Sequence, residues 1–308
     1  MDGGPGLAYD KSMSRSTSLR GAAPAAGRYR ILALDVDGTL LDAEGHLSPR
    51  TADAVARAAR AGILPVLCTG RRYRRARAIT EELALAAPIV CNSGAIVKDP
   101  SDHRTLWRAD FDADLAGSIR SLFREFDEPA VVFTDRSPAE PDFRVPAFPT
   151  GRAMFDDYVA KNRDHAEIDP AWAADGPGTD EPWFHVCAVG SYDEMSAFER
   201  SALERAGGRI QTFVLRTSRY RGTMCEILRV DASKWSALRH LADLWGIAPE
   251  EICAVGDDAN DIPMIRHAGL GVAMGHAHEE VRAAADLITG RHDEDGVAML
   301  VDQVLLAR

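Results

Sequence analysis

The sequence predicts an α/β protein: a doubly wound, parallel sheet whose chain is interrupted by an inserted α+β unit. Two observations carry this expectation. Short apolar runs alternate with amphipathic helical stretches across residues 30–91, and the same alternation returns from Ser233 to the end. Between them the rhythm breaks, with residues 127–182 rich in Pro, Asp and aromatic side chains.

The elements justify themselves in order. Residues 1–27 are rich in Gly, Ala and Ser and lack an apolar signal core. Asp2 and Asp10 argue against a transit peptide, so this stretch reads as a disordered tail. Ile31 to Leu34 is an uninterrupted apolar run, a buried strand that ends on Asp35. Ser48-Pro49 supplies an N-cap followed by proline in the first turn, and Gly62 follows the last periodic residue, predicting a helix over 49–61. Residues 63–68 form a second strand leading into Thr69-Gly70-Arg71. Tyr73, Ala76, Ile79 and Leu83 then recur at helical spacing, and residues 88–91 form a third strand leading into Asn92-Ser93-Gly94. In the middle region, strands are expected at 130–134, 183–189, 210–216 and 223–229, with helices near 112–126 and 192–206. The last part predicts a helix at 233–245 closed by Gly246, a strand at 252–255, and a short helix after Asp261. A strand at 270–273 and a helix at 277–285 follow. The simplest division is a tail of residues 1–27, a core of residues 28–102 and 231–308, and an inserted unit of residues 103–230.

Composition narrows the function. The 308 residues carry a net charge of −11, with 46% apolar and 27% charged residues, the mixture of a soluble globular protein. An acidic chain repels nucleic-acid backbones and anionic lipids, so neither is expected as a partner. The same charge repels phosphate, so any phosphate site must be neutralised locally by a metal, a lysine or backbone amides. The five cysteines are dispersed in apolar runs with no CxxC pair, which fits free thiols in a reducing cytoplasm rather than disulfides or zinc. No run approaches the roughly 20 apolar residues of a membrane span.

Four motifs carry chemistry. Asp35-Val36-Asp37-Gly38-Thr39-Leu40 follows the first strand directly, and in doubly wound sheets ligands bind outside the carboxyl ends of strands. Two carboxylates two residues apart can divide labour, one attacking phosphorus and the other protonating the leaving oxygen and activating water. A polar turn would also account for this hexapeptide taken alone. Thr69-Gly70-Arg71 offers a hydroxyl and free amides for phosphoryl oxygens, a weak signal by itself because helix starts often look alike. Lys234 opens a helix, where the dipole disfavours a cation unless it faces an anion. Gly256-Asp257-Asp258-Ala259-Asn260-Asp261 follows another strand and brings the oxygen ligands that a hard cation requires, although a capped turn has the same composition.

These four elements in this order resemble the haloacid dehalogenase superfamily, and the insertion between the second and third motifs resembles its Cof-type phosphatases. The resemblance extends over residues 30–308, through Met274-Gly275 and Asp295-Gly296-Val297. It implies a Rossmann-like core with a cap, and a Mg²⁺-dependent phosphatase acting on small phosphorylated metabolites through an aspartyl-phosphate. It further implies Asp35 as nucleophile and metal ligand, and Asp37 as general acid/base with its main-chain oxygen on the metal. Thr69, Gly70 and Lys234 would bind the phosphoryl group, with Arg71 supporting the phosphate or the cap. Asp257 would ligate the metal, Asp261 would hold a metal-bound water, and Asn260 would complete the site. His276 and His292 stand where Cof-type chains commonly carry asparagine, and Ser93 where they carry glycine. His276 and His278 read as surface or helix-start histidines. A monomer or homodimer in the cytoplasm is expected.

Two other readings share these residues. A phosphomutase passes the phosphoryl group to a sugar rather than to water. A silent phosphate-binding protein on the same fold normally lacks one of the acidic or lysine positions, and here all are present. In the inserted unit, Arg136, Arg144, Arg216, Arg219 and Arg221 are candidates for recognising a second anionic group, although a charge run such as the last three is more often a solvated turn.

Overall fold

The computed structural model describes residues 28–170, 182–216 and 221–306. The expected tail, Arg219 and the side chain of Arg216 lie outside the described residues.

The first part of the chain runs β1 (Ile31–Leu34), α1 (Pro49–Arg60), β2 (Leu64–Leu67), α2 (Tyr73–Glu82) and β3 (Ile89–Cys91), then β4 (Ile96–Lys98) and β5 (Thr105–Arg108). The inserted part holds α3 (Ala113–Glu125), β6 (Val131–Phe133), β7 (Phe143–Val145), α4 (Ala153–Lys161), β8 (Ala166–Ile168), β9 (His185–Gly190) and α5 (Tyr192–Ala206). It closes with β10 (Ile210–Arg216) and β11 (Thr223–Arg229). The chain then returns through α6 (Lys234–Leu244), β12 (Ile252–Gly256), α7 (Ile262–His267), β13 (Leu270–Ala273), α8 (Glu279–Ala284), β14 (Leu287–Ile288) and α9 (Gly296–Leu300).

The central sheet has the order β14-β13-β12-β1-β2, with every pair parallel. All four β1 residues are buried, as an apolar run covered on both faces requires. Leu32 and Leu34 pack with Ala54 and Val55 of α1, whereas Ile31 and Ala33 pack with Ala237, Leu238 and Leu241 of α6. Strand order reverses between β1 and β12: the chain winds one way through β2 and the other way through β13 and β14. Their carboxyl ends are the topological switch point, where open α/β sheets leave a crevice.

The third expected strand departs from a simple parallel continuation. β3 touches the central sheet through one parallel bridge, Cys68 to Val90, and otherwise pairs antiparallel with β4, which pairs with β5. Strands β4 and β5 were not expected. The turn at Asn92-Ser93-Gly94 folds β4 back on β3, so this hairpin and β5 form a separate three-stranded sheet.

The inserted unit is a six-stranded sheet of order β10-β11-β9-β6-β7-β8, antiparallel except between β7 and β8. Strand alternation gives it two faces. Val186, Ala188, Cys225 and Ile227 pack under α3 and α5 with Leu115, Phe123 and Phe198. The alternate residues of the paired strands β9 and β11, including His185, Cys187, Met224 and Glu226, occupy the opposite face. Helix α5 carries a full capping box at Ser191 and Glu194, a local reason for its start at the expected residue. The elements missed here, β7, β8 and α4, are short and lie in the Pro- and Asp-rich stretch, where neither periodicity is sustained.

Candidate active site

β1 ends at Leu34 and β12 ends at Gly256, so the residues that follow them, Asp35 and Asp257, emerge side by side at the switch point. Asp35 Nα donates to the Val255 carbonyl at 3.0 Å, locking the two strand ends together. The following turn closes through Leu41 Nα donating to the Val36 carbonyl at 2.9 Å. Gly38 lies at φ +80°, and a Cβ there would stand 2.3 Å from an Asp257 carboxylate oxygen, so the two acidic loops approach as only glycine allows. Thr39 Oγ1 ties them further by donating to Asp257 Oδ1 at 3.2 Å.

Lys234 is 1% exposed, and its Nζ donates to Asp35 Oδ1 at 2.7 Å and to Asp261 Oδ1 at 2.6 Å. The helix start that carries it is placed by Gly94, at φ +93°, where a Cβ would overlap the Ser233 main chain at 2.0 Å. Asp261 stands at the N-cap of α7, but its side chain makes no cap bond there. Its Oδ2 instead accepts from the amides of Asp257 and Asp258 at 3.0 and 3.1 Å, and its other oxygen serves Lys234. Helix α7 opens Ile262-Pro263, and proline has no N–H to offer a cap.

Ligand oxygens of Asp35, Asp257 and Asp261 lie within 4.8 Å of one another. Burial pushes the Asp261 carboxyl up to about 6 and raises that of Asp35 well above its ordinary value, with Lys234 opposing both. Burial works against the Lys234 ammonium as well, but Asp261 and Asp35 outweigh it and raise that group. The two trends agree: one ammonium is held charged by two carboxylates, while three carboxylates are short of positive charge. An all-oxygen donor set with a charge deficit fits a hard divalent cation.

Asp37 turns away from this cluster. Its carboxylate accepts from Arg71 Nε at 2.8 Å and from Arg71 Nη2 at 2.5 Å, a two-point ion pair. Thr69 is fully buried, its hydroxyl accepting from the Arg71 amide at 3.0 Å; Gly70 and Arg71, not Thr69, line the cleft. Asn260 Nδ2 points to Ser93 Oγ at 3.3 Å, and Ser93 Oγ donates to Glu226 Oε2 of the inserted unit at 2.5 Å. Ser93 holds φ +54°, a conformation glycine adopts more easily, and from it the hydroxyl reaches across to β11.

The structure thus brings Asp35, Lys234, Asp257 and Asp261 into contact and sets Asp37, Gly70, Arg71 and Asn260 around one cleft of about 510 Å³. His276 corrects the surface reading: its Nε2 stands 3.5 Å from Asp257 Oδ2, and its ring meets that of His292 edge-on at 4.3 Å. His278 is exposed at the start of α8, as expected. Phe133, Tyr158, Asn162, Met224 and Glu226 of the inserted unit, and Arg75 of α2, also line the cleft. Sequence reasoning named none of them for the site: those of the inserted unit reach it only through the docking of the two sheets, and Arg75 carries no local mark that sets it apart in an arginine-rich stretch. A second set of ligand-type atoms, from His185, Cys187 and Glu226, is buried, and burial alone lowers the His185 imidazole to about 3. Of the arginines expected to read a second anion, Arg136 and Arg144 both pair with Glu167, at 2.8 and 2.9 Å. Neither lines the cleft, nor does Arg221.

Comparison with known proteins agrees with this geometry. The sequence profile of haloacid dehalogenase-like hydrolases matches residues 32–301. The chain is 28% identical over 299 residues to 5-amino-6-(5-phospho-D-ribitylamino)uracil phosphatase YwtE of Bacillus subtilis, covering 90% of this chain and 98% of that one. It is 28% identical to pyridoxal phosphate phosphatase YbhA of Escherichia coli, covering 88% and 97%. Among solved structures, a haloacid dehalogenase-like hydrolase of B. subtilis superposes with a TM-score of 0.72 at 26% identity, covering 90% and 100%. With the motifs, the switch-point geometry and these likenesses in agreement, the chain belongs to the haloacid dehalogenase-like hydrolases.

Proposed function

We propose that this chain is a Mg²⁺-dependent phosphatase of small phosphorylated metabolites that works through an aspartyl-phosphate on Asp35. The observation that carries the reading is the buried Asp35–Lys234–Asp261 contact beside Asp257 at the switch point. The phosphatase names of the B. subtilis and E. coli relatives support it. When bound among Asp35, Asp257 and Asp261, Mg²⁺ would offset negative charge on the phosphoryl oxygens.

The residues then divide the work. Asp35 attacks phosphorus as the P–O bond to the alcohol breaks, and the leaving oxygen takes a proton from Asp37. Asp37 next accepts a proton from water as that water attacks the aspartyl-phosphate, releasing phosphate and restoring Asp35. Lys234 balances charge as it moves from Asp35 to the phosphoryl oxygens. Arg71 holds Asp37 as an acceptor in this structure, so a bound phosphoryl group competes for the guanidinium and frees Asp37 for its proton. The inserted unit covers the cleft and excludes water. The residue roles follow from position and chemistry. We place the enzyme in the cytoplasm, where five free, buried cysteines are at home. No helix among the described residues is long and apolar enough to cross a membrane.

The test is phosphate release from phenyl phosphate with and without Mg²⁺, with rapid quench and mass spectrometry of the peptide containing Asp35. Mg²⁺-dependent release with a phosphoryl adduct on Asp35, abolished in Asp35→Asn, is expected. An adduct on serine or histidine, or full turnover in chelator, refutes it. Phosphate passed to an added sugar phosphate but not to water indicates a mutase instead.

A further inference from the structure

The cleft holds five lysine or arginine side chains, and four of them already face a carboxylate. Lys234 pairs with Asp35 and Asp261, Arg71 with Asp37, Arg72 with Asp142 at 3.0 Å, and Lys161 with Asp157 at 2.9 Å. Arg75 is different. Among the described residues its side chain makes no ion pair, and the guanidinium makes one hydrogen bond, from Nη2 to Asn162 Oδ1 at 2.8 Å. That neutral oxygen also accepts from Arg72 Nη2 at 2.8 Å, so two guanidinium groups share one amide carbonyl.

Burial and the nearby Arg72 push the Arg75 guanidinium below its ordinary value, and Asp142, which is paired with Arg72, offsets this only in part. Its orientation is nonetheless fixed. Asn162 Nδ2 donates to the Tyr158 carbonyl at 2.8 Å, anchoring the amide that aims the guanidinium. Arg75 stands in the first turn of α2, and it lines the same cleft as Arg71, the residue that grips Asp37. Arg75 lines the cleft together with Tyr158 and Met224 of the inserted unit, and with Lys234 and the Thr69 turn assigned to the phosphoryl group, the leaving group is the part of a substrate left for it to meet.

We propose that Arg75 binds a second anionic group, a carboxylate or a second phosphate, on the substrate's leaving group. The preferred substrates are then phosphomonoesters of compact alcohols that carry another negative charge a few bonds from the ester oxygen. This rests on the phosphatase reading and adds the substrate class.

The experiment compares kcat/KM within matched pairs, at fixed Mg²⁺ and salt. Phenyl phosphate is set against 4-carboxyphenyl phosphate, glucose 6-phosphate against 6-phosphogluconate, and fructose 6-phosphate against fructose 1,6-bisphosphate. The first two pairs test a carboxylate and the third a phosphate. A charge-assisted contact gives a preference of about 10- to 100-fold for the more anionic member in at least one class. Arg75→Gln should collapse that ratio and Arg75→Lys should keep part of it. Arg75→Glu should shift preference toward phosphoethanolamine. Equal kcat/KM within all pairs, or a ratio unchanged in Arg75→Gln, overturns the inference and leaves the phosphatase reading standing. No Mg²⁺-dependent turnover of any of these esters overturns both.

Discussion

Replacing Lys234 with methionine tests the charge balance on which the site reading depends. Methionine keeps an unbranched stem of similar length and removes only the ammonium. That ammonium is 1% exposed and spans Asp35 and Asp261 at 2.7 and 2.6 Å. Stripping one partner from a buried pair typically costs about 3–5 kcal/mol, because the remaining charge is left unpaired. In a chain of this size that is a fall in melting temperature on the order of 10 °C. The loss depends on pH. Asp261 already sits raised to about 6, and without the ammonium both carboxyls rise further. An acid raised in the folded state binds a proton that the unfolded chain has released, so stability declines as pH climbs from the ordinary carboxylate range through the raised value. The deficit of Lys234→Met relative to the parent should therefore be large at about pH 8, small at about pH 5, and reduced by added Mg²⁺. The rate of phosphate release should fall by about 10²–10³. Thermal melts by circular dichroism at the two pH values and single-turnover phosphate release decide the matter. A variant that melts with the parent at alkaline pH and keeps its kcat refutes the argument. An equal loss at both pH values refutes the charge argument as well, leaving only packing.

Two further outcomes follow from the same geometry. Asp37→Asn loses both the proton donor and the two-point pair with Arg71. Its turnover of alkyl phosphates should drop by about 10²–10⁴, while an acyl phosphate, whose leaving group needs no proton, still phosphorylates Asp35; equal losses on both substrates, read by quench labelling, would reverse the assignment. Glu226 is pushed up to about 7 by burial, against the opposing Ser93 hydrogen bond and Lys234 charge. The folded state therefore keeps a proton that the unfolded chain has lost, and this group's contribution to stability falls by on the order of 3 kcal/mol between the ordinary carboxylate range and about pH 7. Glu226→Gln removes that fall, so urea unfolding should show the variant gaining on the parent from about pH 5 to about pH 8; a constant difference would show that Glu226 ionises normally.

The core of the fold and the order of its catalytic motifs were legible in the chain because both are written locally. A parallel strand buried on both faces reads as an apolar run, and Asp35, Thr69 and Asp257 announce themselves by ending or following such runs. Lys234 was legible for an electrostatic reason, a cation placed at a helix start that disfavours it. The inserted unit was harder. Its strands β7 and β8 have three residues each, too few for alternation to register, and β4 is hidden because the chain turns back on itself at Asn92-Ser93-Gly94. What tertiary structure alone decided is the far side of the cleft and the use to which each charge is put. Arg75 and Arg72 are near neighbours in one arginine-rich stretch, and no local pattern distinguishes them. Only the docking of α4 and the β7 region against α2 gives Arg72 its Asp142 and leaves Arg75 with an amide oxygen. His276 likewise becomes a neighbour of Asp257, and Glu226 of Ser93, across separations that no periodicity spans. Periodicity and capping act within a few residues, so the chain declares its elements and strand-end acids, whereas the pairing of buried charges depends on distances that exist only once the two sheets have closed on each other.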